Sequence, residues 1–311
     1  MKILVIDKIH PLFFKEAELM GCTCDYRPEI GFEEIQECIA HYEGLIVRNK
    51  KINAALLERA HKLQFIGRAG AGLDNIDLVQ AEKQQITVVN ASEANADAVA
   101  EHTMGMLLGL LHKINFSHQK LRKLEWNREA GRGEELKSKT VAIIGYGVMG
   151  TATAQRLLSF GCKVMFYDIN PEKPNPYVKV QRASLEQVFE EADIVSLHIP
   201  YTTYNKYWVN QALLNNFKKN IYLLNVARGE VADTQALINA LQTGKLKGAA
   251  LDVFENEDIY ALTDLQRVQL ETLIEHPMVI FTPHVAGWSV ESFEKISSVL
   301  IHKLQDFIKN H

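Results

Sequence analysis

Cysteine is scarce in this chain of 311 residues: Cys22, Cys24, Cys38 and Cys162 form no CxxC pair and have no histidine-rich neighbourhood at zinc spacing. No metal is therefore expected, and the four are read as buried thiols, Cys22 and Cys24 alternating on one strand face. Positive charge is not in excess either. A formal charge of −4 and a pI near 6.3 offer no surface for nucleic acid or an anionic membrane. Long hydrophobic runs are missing, since the most apolar helix candidate, Thr103 to Leu111, is too short to span a bilayer. The opening MKILVIDKIH soon turns polar and lacks a small-residue cleavage site, so no signal peptide is read and the expected location is the cytoplasm. There is no internal repeat and no low-complexity tract. What remains is an ordinary globular composition, 47% hydrophobic and 23% charged, at a length that suits two domains.

The chain is organised around Thr140 to Asp168, TVAIIGYGVMGTATAQRLLSFGCKVMFYD. An apolar run leads into a G-x-G-x-x-G turn, then a helix-like stretch closed by Gly161, then a second apolar run ending in an acid. Gly145 suits the tight turn, Gly147 lets the backbone approach a pyrophosphate, and Gly150 lets helix and strand pack closely. The pyrophosphate is expected on the free N–H groups that open the following helix, at Val148 and Met149. Asp168 lies 18 residues past Gly150, near the separation of about 20 at which such an acid binds the adenosine ribose hydroxyls. This is the pattern of a Rossmann dinucleotide unit. Asp168 also selects between cofactors: at an effective dielectric near 20, two unit charges about 4 Å apart repel by roughly 4 kcal/mol, and NADP would place a phosphate against this carboxylate. No arginine follows at Ile169, Asn170 or Pro171 to offset that repulsion, so NAD is the expected cofactor.

Strand-like runs before this unit, at Ile3 to Ile6, Cys22 to Tyr26, Gly44 to Val47, Gln64 to Gly67 and Ile86 to Val89, alternate with helix-like segments such as Leu12 to Met20, Phe32 to Ala40 and Asn53 to Ala60. Alternation of this kind implies parallel strands with crossover helices. Ala96 to Asn115 reads as one long helix, apolar on more than one face, with His102 taken as a packed or cleft-lining histidine. Lys120 to Lys139 reads as a charged arm. After Asp168 the pattern continues with strands at Asp193 to Leu197, Ile221 to Asn225, Lys247 to Val253 and Met278 to Phe281, and with a helix at Asp233 to Gln242, N-capped by Asp233 and stopped at Gly244. The last helix, Ser289 to Lys309, puts Phe293, Ile296, Leu300, Leu304 and Phe307 on one stripe, for which the first domain is the natural surface. The expected fold is α/β: two doubly wound parallel-sheet domains, with a Rossmann NAD domain (97–285) inserted into a flavodoxin-like substrate domain (1–96 and 286–311).

Polar residues gather at the carboxyl ends of the strands, where ligands bind in open parallel sheets. In the first domain these are Arg48 and Asn49, with Lys50 and Lys51 beside them, and the Gly70-Ala71-Gly72 loop, whose bare N–H groups suit a carboxylate. In the second they are His198, Arg228, the acids from Asp252 to Asp258, and His284. Hydride transfer to a ketone needs a proton donor, a cation for the substrate carboxylate, and a group that keeps the donor charged. His284 suits the first role and Arg228 the second. The third falls to Asp252, Glu255, Glu257 or Asp258, among which spacing does not choose.

The stretches GRAGAGLDNID (Gly67 to Asp77), VAEHT (Val99 to Thr103), IIGYGVMG (Ile143 to Gly150), HIPYT (His198 to Thr202), NVARGEVAD (Asn225 to Asp233), GAALDVFENE (Gly248 to Glu257) and TPHVAGWS (Thr282 to Ser289) resemble the D-isomer-specific 2-hydroxyacid dehydrogenases, in that family's order. The resemblance implies catalytic residues Arg228, Glu257 and His284, with Glu257 the partner of the acid–base histidine. It implies cofactor neighbours His198, Ile199 and Pro200 after one strand, Val226 and Ala227 after the next, Asp252, and His284 with Gly287. It implies substrate contacts at Arg48, Asn49, Gly70, Ala71 and Arg228, a hinge that closes the cleft, and a homodimer built on the nucleotide domain. Within the family, the N-terminal segment and VRNKKI resemble the D-3-phosphoglycerate dehydrogenase branch, in which Lys50 or Lys51 would add charge for a phosphate. The chain length leaves no room for an appended regulatory domain, so feedback by serine is not expected. Oxidation of 3-phosphoglycerate is the first expectation, reduction of glyoxylate or hydroxypyruvate the second, and an NAD(H)-sensing binding protein the third. Three features depart from the pattern: Ser92 and Asp258 where prolines are usual, and a longer stretch from Asp258 to His276 with a helical pattern in Leu265, Val268, Leu273 and Ile274.

Overall fold

The computed structural model describes residues 1–310, which divide into two units: Met1–Ala96 with the chain from Trp288 onward, and Asp97–Gly287. Each is a parallel sheet covered by helices. In the first unit the strands are β1 (Lys2–Val5), β2 (Thr23–Tyr26), β3 (Gly44–Val47), β4 (Phe65–Arg68) and β5 (Thr87–Asn90), in the order β2-β1-β3-β4-β5. The central strand β3, Gly-Leu-Ile-Val, is buried at every position, as a strand covered on both faces must be. One face packs against Ile35, Ile39, Leu56, Leu57 and Ala81 from the crossover helices. The other is covered by Phe13 and Ala17 of helix Leu12–Leu19 and by the last helix, Val290–Asn310. Of the expected stripe on that helix, Ile296, Leu300, Leu304 and Phe307 are buried and Phe293 is half-buried, with the rings of Phe307 and Phe65 5.2 Å apart. Its residues recur at helical spacing, so a single face supplies the whole contact.

The second unit holds β6 (Thr140–Ile144), β7 (Lys163–Tyr167), β8 (Val180–Arg182), β9 (Ile194–Leu197), β10 (Ile221–Asn225), β11 (Leu246–Leu251) and β12 (Val279–Phe281). Their order is β12-β11-β10-β9-β6-β7-β8, with every pairing parallel. Direction reverses between β6 and β9, the switch point of a doubly wound sheet. One face is covered by helices Ala96–Leu111 and Val148–Leu158, through residues such as Leu107, Leu110, Ala154 and Leu157. The opposite face is covered by helices that include Leu185–Glu191, Gln211–Asn216 and Thr234–Gln242. Asp233 caps the last of these by accepting from Gln235 and Ala236 N–H, and Gly244 follows with a positive φ.

One expectation about the helices is corrected. Ala96 to Asn115 is not one helix: it ends at Leu111, Lys113 takes a left-handed conformation (φ 51°), and a second helix runs Ile114–Arg122 into what was read as a charged arm. The break comes from residues distant in sequence. Glu134 N–H donates to Leu111 O at 3.0 Å and Lys113 Nζ donates to Ala130 O at 3.2 Å, so the segment folding back supplies the helix cap. The stretch from Asp258 onward forms the expected helix, Asp264–Glu275, closed at its start by a capping box between Thr263 and Gln266. Of its apolar residues only Leu273 is buried, whereas Leu265, Val268 and Ile274 face outward. Among the described residues no helix is long and apolar enough to cross a membrane, and no cluster of metal-ligating side chains occurs. All four cysteines are free thiols, Cys22 and Cys162 buried, Cys24 and Cys38 half-buried.

Candidate active site

The parallel order brings the carboxyl ends of β12, β11, β10, β9, β6 and β7 to one edge of the larger sheet, and the loops that leave them carry the candidate residues. The glycine turn after β6 is built by close approach. A Cβ on Gly145, which has φ +89°, would meet His198 O at 2.7 Å, and one on Gly150 would meet Gly145 O at 2.1 Å. Gly147 has nothing within 4 Å of where its Cβ would lie. It precedes helix Val148–Leu158, which has no side-chain cap, so the N–H groups at Val148 and Met149 open toward this space. The turn thus forms a cradle that fits a pyrophosphate. Asp168 ends β7 with its carboxylate fixed by Tyr146 N–H at 2.8 Å and Asn170 N–H at 2.9 Å. One arginine that local sequence did not reveal orders the loop beyond it: Arg182 holds the carbonyls of Asn170 and Lys173 at 3.2 and 2.9 Å.

At the end of β9, His198 turns inward. Its Nε2 lies 2.8 Å from Ser196 Oγ, its Nδ1 is buried without a partner, and burial pushes its pKa down to about 3. The ring therefore stays neutral. It is the His198 carbonyl and the Ile199 side chain that flank Gly145, while Pro200 is exposed.

Arg228 follows β10 on a turn tied by Asn225, which accepts Ala227 N–H at 3.1 Å and donates to Arg228 O at 3.0 Å. Val226 and Arg228 are half-buried and Ala227 is buried. The next residue, Gly229, presses against the loop after β11: a Cβ there would meet the carbonyl carbon and oxygen of Phe254 at 2.0 Å.

The choice among the four acids is made by geometry. Asp252 is fully buried, and its carboxylate accepts from Thr282 Oγ1 at 2.5 Å, Val285 N–H at 2.9 Å and Ala286 N–H at 2.8 Å. Glu255 accepts from Tyr207 OH and Thr234 N–H. Asp258 accepts Tyr260 N–H in its own turn. Glu257 is the acid at the histidine: its Oε2 lies 2.8 Å from His284 Nδ1, with both side chains nearly half exposed. His284 has φ +54°, a conformation that side-chain-bearing residues rarely adopt, and it is held there by its N–H, which donates to Asp252 O at 2.7 Å. Asp252 is thus the anchor of the loop from Thr282 to Gly287, its carboxylate turned into the protein. His102 joins the same network, with Nε2 3.0 Å from Thr282 Oγ1 and 3.6 Å from Asp252 Oδ1.

In the smaller unit the loop after β3 is fixed by a residue the sequence reading passed over. Asp7 accepts the N–H groups of Arg48 at 2.7 Å, Asn49 at 3.0 Å and Lys50 at 3.4 Å. Of the two lysines expected to add charge for a phosphate, Lys50 turns inward, donating to Ile6 O and Pro28 O at 2.5 and 2.6 Å beside Asp7, while Lys51 is exposed. Arg48 lies with its guanidinium 4.0 Å from the ring centre of Trp288. Burial lowers its pKa from the ordinary value and Asp7 partly offsets this. Gly70 does not present the bare amide expected of it, because its N–H donates to Arg68 O at 2.9 Å and its carbonyl accepts Ala91 N–H at 2.8 Å. The missing side chain leaves room for Arg68, whose Nη1 lies 1.8 Å from where a Cβ would be. The Ala71 carbonyl accepts Asn90 Nδ2 at 2.6 Å.

Comparison with known proteins agrees with this architecture. Residues 104–286 match the family described as D-isomer specific 2-hydroxyacid dehydrogenase, NAD binding domain. A hydroxypyruvate reductase of Thermotoga maritima is 35% identical over 88% of this chain and 87% of its own length. A D-3-phosphoglycerate dehydrogenase of Bacillus subtilis is also 35% identical, over 86% of this chain but 50% of its own length, so the chain spans half of that relative. The crystal structure of an Aquifex aeolicus D-lactate dehydrogenase complexed with NAD and lactic acid has a TM-score of 0.85 and 28% identity, covering 100% of this chain and 96% of that one. With that match, and with the glycine cradle, Asp168 and the His284–Glu257 pair on one sheet edge, the chain belongs to the NAD-dependent D-isomer-specific 2-hydroxyacid dehydrogenases.

Proposed function

We propose that the chain interconverts a D-2-hydroxy acid and its 2-oxo acid, and that the pair is 3-phosphoglycerate and 3-phosphohydroxypyruvate, the first step of serine synthesis. The observation that carries the reading is the His284–Glu257 pair at 2.8 Å. With Nδ1–H donated to Glu257, Nε2 is the nitrogen left to exchange a proton with the substrate. In the direction of reduction, NADH held by the glycine turn and Asp168 would supply the hydride that the carbonyl carbon accepts. His284 then gives its Nε2 proton to the carbonyl oxygen, which becomes the hydroxyl, and the half-exposed ring regains a proton from solvent. Glu257 stabilises the charged imidazole before the transfer. Arg228 grips the substrate carboxylate with two parallel N–H donors and polarises the neighbouring carbonyl. Arg48 and Asn49 take the far end of the substrate, which supports a doubly anionic acid.

A homodimer in the cytoplasm is part of the proposal. Its support is the apolar surface at Ile114, Leu121, Leu124 and Trp126, which lies exposed along helix Ile114–Arg122 and the turn after it. A second reading, reduction of hydroxypyruvate or glyoxylate, is favoured by one observation: the Thermotoga maritima hydroxypyruvate reductase is as similar to this chain, at 35% identity, as the Bacillus subtilis phosphoglycerate dehydrogenase. A panel of oxo acids with NADH separates the two. Preference for the phosphorylated acid supports the first, and indifference to the phosphate removes it in favour of the second. Binding of NADH without turnover of any oxo acid would remove both and leave an NAD(H)-sensing protein.

A further inference from the structure

Trp288 is 62% exposed, a large apolar surface for a residue next to the start of the last helix, and its ring carries the Arg48 guanidinium at 4.0 Å from the ring centre. Among the described residues the guanidinium has no hydrogen-bond or ion-pair partner, although other cations of the smaller unit, such as Arg27, Lys50 and Lys303, have acidic partners. An aromatic face attracts a cation without neutralising it. The planar N–H edge of Arg48 therefore keeps its full charge and its paired donors. Both partners are anchored through their backbones: the Arg48 turn is nailed to Asp7 at 2.7 Å, and the residue after Trp288, Ser289, exchanges hydrogen bonds of 2.9 Å with Ser292 across the helix start. A stacked, charged, anchored guanidinium is pre-organised for an anion of two parallel oxygens.

We propose that Trp288 is a specificity-determining residue, the shelf that holds Arg48 as a clamp for a second anionic group on the substrate, a phosphate or a carboxylate remote from the 2-oxo acid function. This deepens, and rests on, the reading of the chain as an oxo acid reductase. The shelf acts on binding of the remote group, so its removal should raise KM for doubly anionic substrates and leave kcat nearly unchanged.

The test measures NADH-dependent reduction of 3-phosphohydroxypyruvate, oxaloacetate and hydroxypyruvate by the wild-type chain and by Trp288→Leu, Trp288→Phe, Arg48→Ala and Trp288→Leu/Arg48→Ala. Trp288→Leu is expected to lower kcat/KM about 3- to 30-fold on the doubly anionic acids, the span of a cation–π contact, with less than about a 2-fold change on hydroxypyruvate. Trp288→Phe should recover most of the loss, since it restores an aromatic face. In the Arg48→Ala background, Trp288→Leu should do nothing further. The wild-type ratio between the phosphate and the carboxylate substrate identifies which anion the clamp takes. Equal losses on all three substrates, or additive losses in the double variant, overturn the role of Trp288 while leaving the reductase reading intact. Absence of turnover with every acid in the wild-type chain would instead count against that underlying reading.

Discussion

Replacing Asp252 with asparagine tests how the buried sheet edge holds the candidate acid–base residue. The Asp252 carboxylate is fully buried and accepts three hydrogen bonds, from Thr282 Oγ1, Val285 N–H and Ala286 N–H. An amide has one oxygen. If that oxygen serves Thr282 and Val285, the new NH2 group faces the Ala286 N–H; in the flipped orientation it faces the Val285 N–H. The Thr282 hydroxyl can turn away, but a backbone N–H cannot, so either orientation leaves a buried donor without an acceptor. Such an orphan costs about 1–3 kcal/mol. The loop also pays about 1–2 kcal/mol to keep His284 at φ +54°, so the lost bond shifts it away from the competent conformation. A change of 1–3 kcal/mol in that balance corresponds to about 5- to 150-fold in population. Asp252→Asn is therefore expected to lower kcat by up to that factor and the unfolding free energy by about 1–3 kcal/mol. Steady-state oxidation of NADH with an oxo acid measures the first, and urea unfolding followed by far-UV circular dichroism measures the second. Wild-type turnover together with an unchanged urea midpoint would refute the claim that this carboxylate anchors the loop.

Three further outcomes follow from particular contacts. His284→Ala should cut turnover on the order of 10² to 10⁴ fold while NADH binding, followed by fluorescence, persists; Glu257→Gln keeps an acceptor near Nδ1 and should cost less than Glu257→Ala. Gly229→Ala drives a Cβ to 2.0 Å from the Phe254 carbonyl, backbone that cannot yield without moving the loops of Arg228 and Glu257. Loss of about 3 kcal/mol or more and of most turnover is expected, whereas Gly244→Ala, with φ +74° and open space, should lose only about 1–2 kcal/mol and keep its kcat. The folded pKa of His198, about 3, lies below its ordinary value of 6.5, so the unfolded chain binds the proton first as pH falls. Stability is then intact above about pH 6.5 and falls by about 1.4 kcal/mol per unit below it, roughly 2 kcal/mol by pH 5. His198→Gln should flatten that part of the curve, and identical urea midpoints for wild type and variant at pH 5 relative to pH 7.5 would contradict the burial effect.

The two layers of legibility in this chain separate cleanly by distance along the backbone. Strands such as Gly44–Val47 and Ile221–Asn225, the cap at Asp233 and the stripe of the last helix rest on neighbours within a few residues, so periodicity and turn chemistry located them. Short elements with weak patterns escaped: β8 is three residues, Val-Gln-Arg, at a sheet edge, and helix Gln211–Asn216 is a single polar-flanked turn and a half. The helix break at Lys113 carries no glycine or proline, because its cap comes from Glu134 and Ala130.

The sequence by itself determined the α/β class, the glycine cradle with Asp168 behind it, and the set of strand ends at which chemistry could occur, since each depends on local spacing. Only the tertiary structure decided which of four acids meets His284, that Lys50 and His198 turn inward, that Asp252 anchors a loop more than thirty residues further along the chain, and that Arg48 rests on Trp288. Those outcomes depend on which strand ends become neighbours and on the competition among buried polar groups for partners, and neither is written in the spacing of nearby residues.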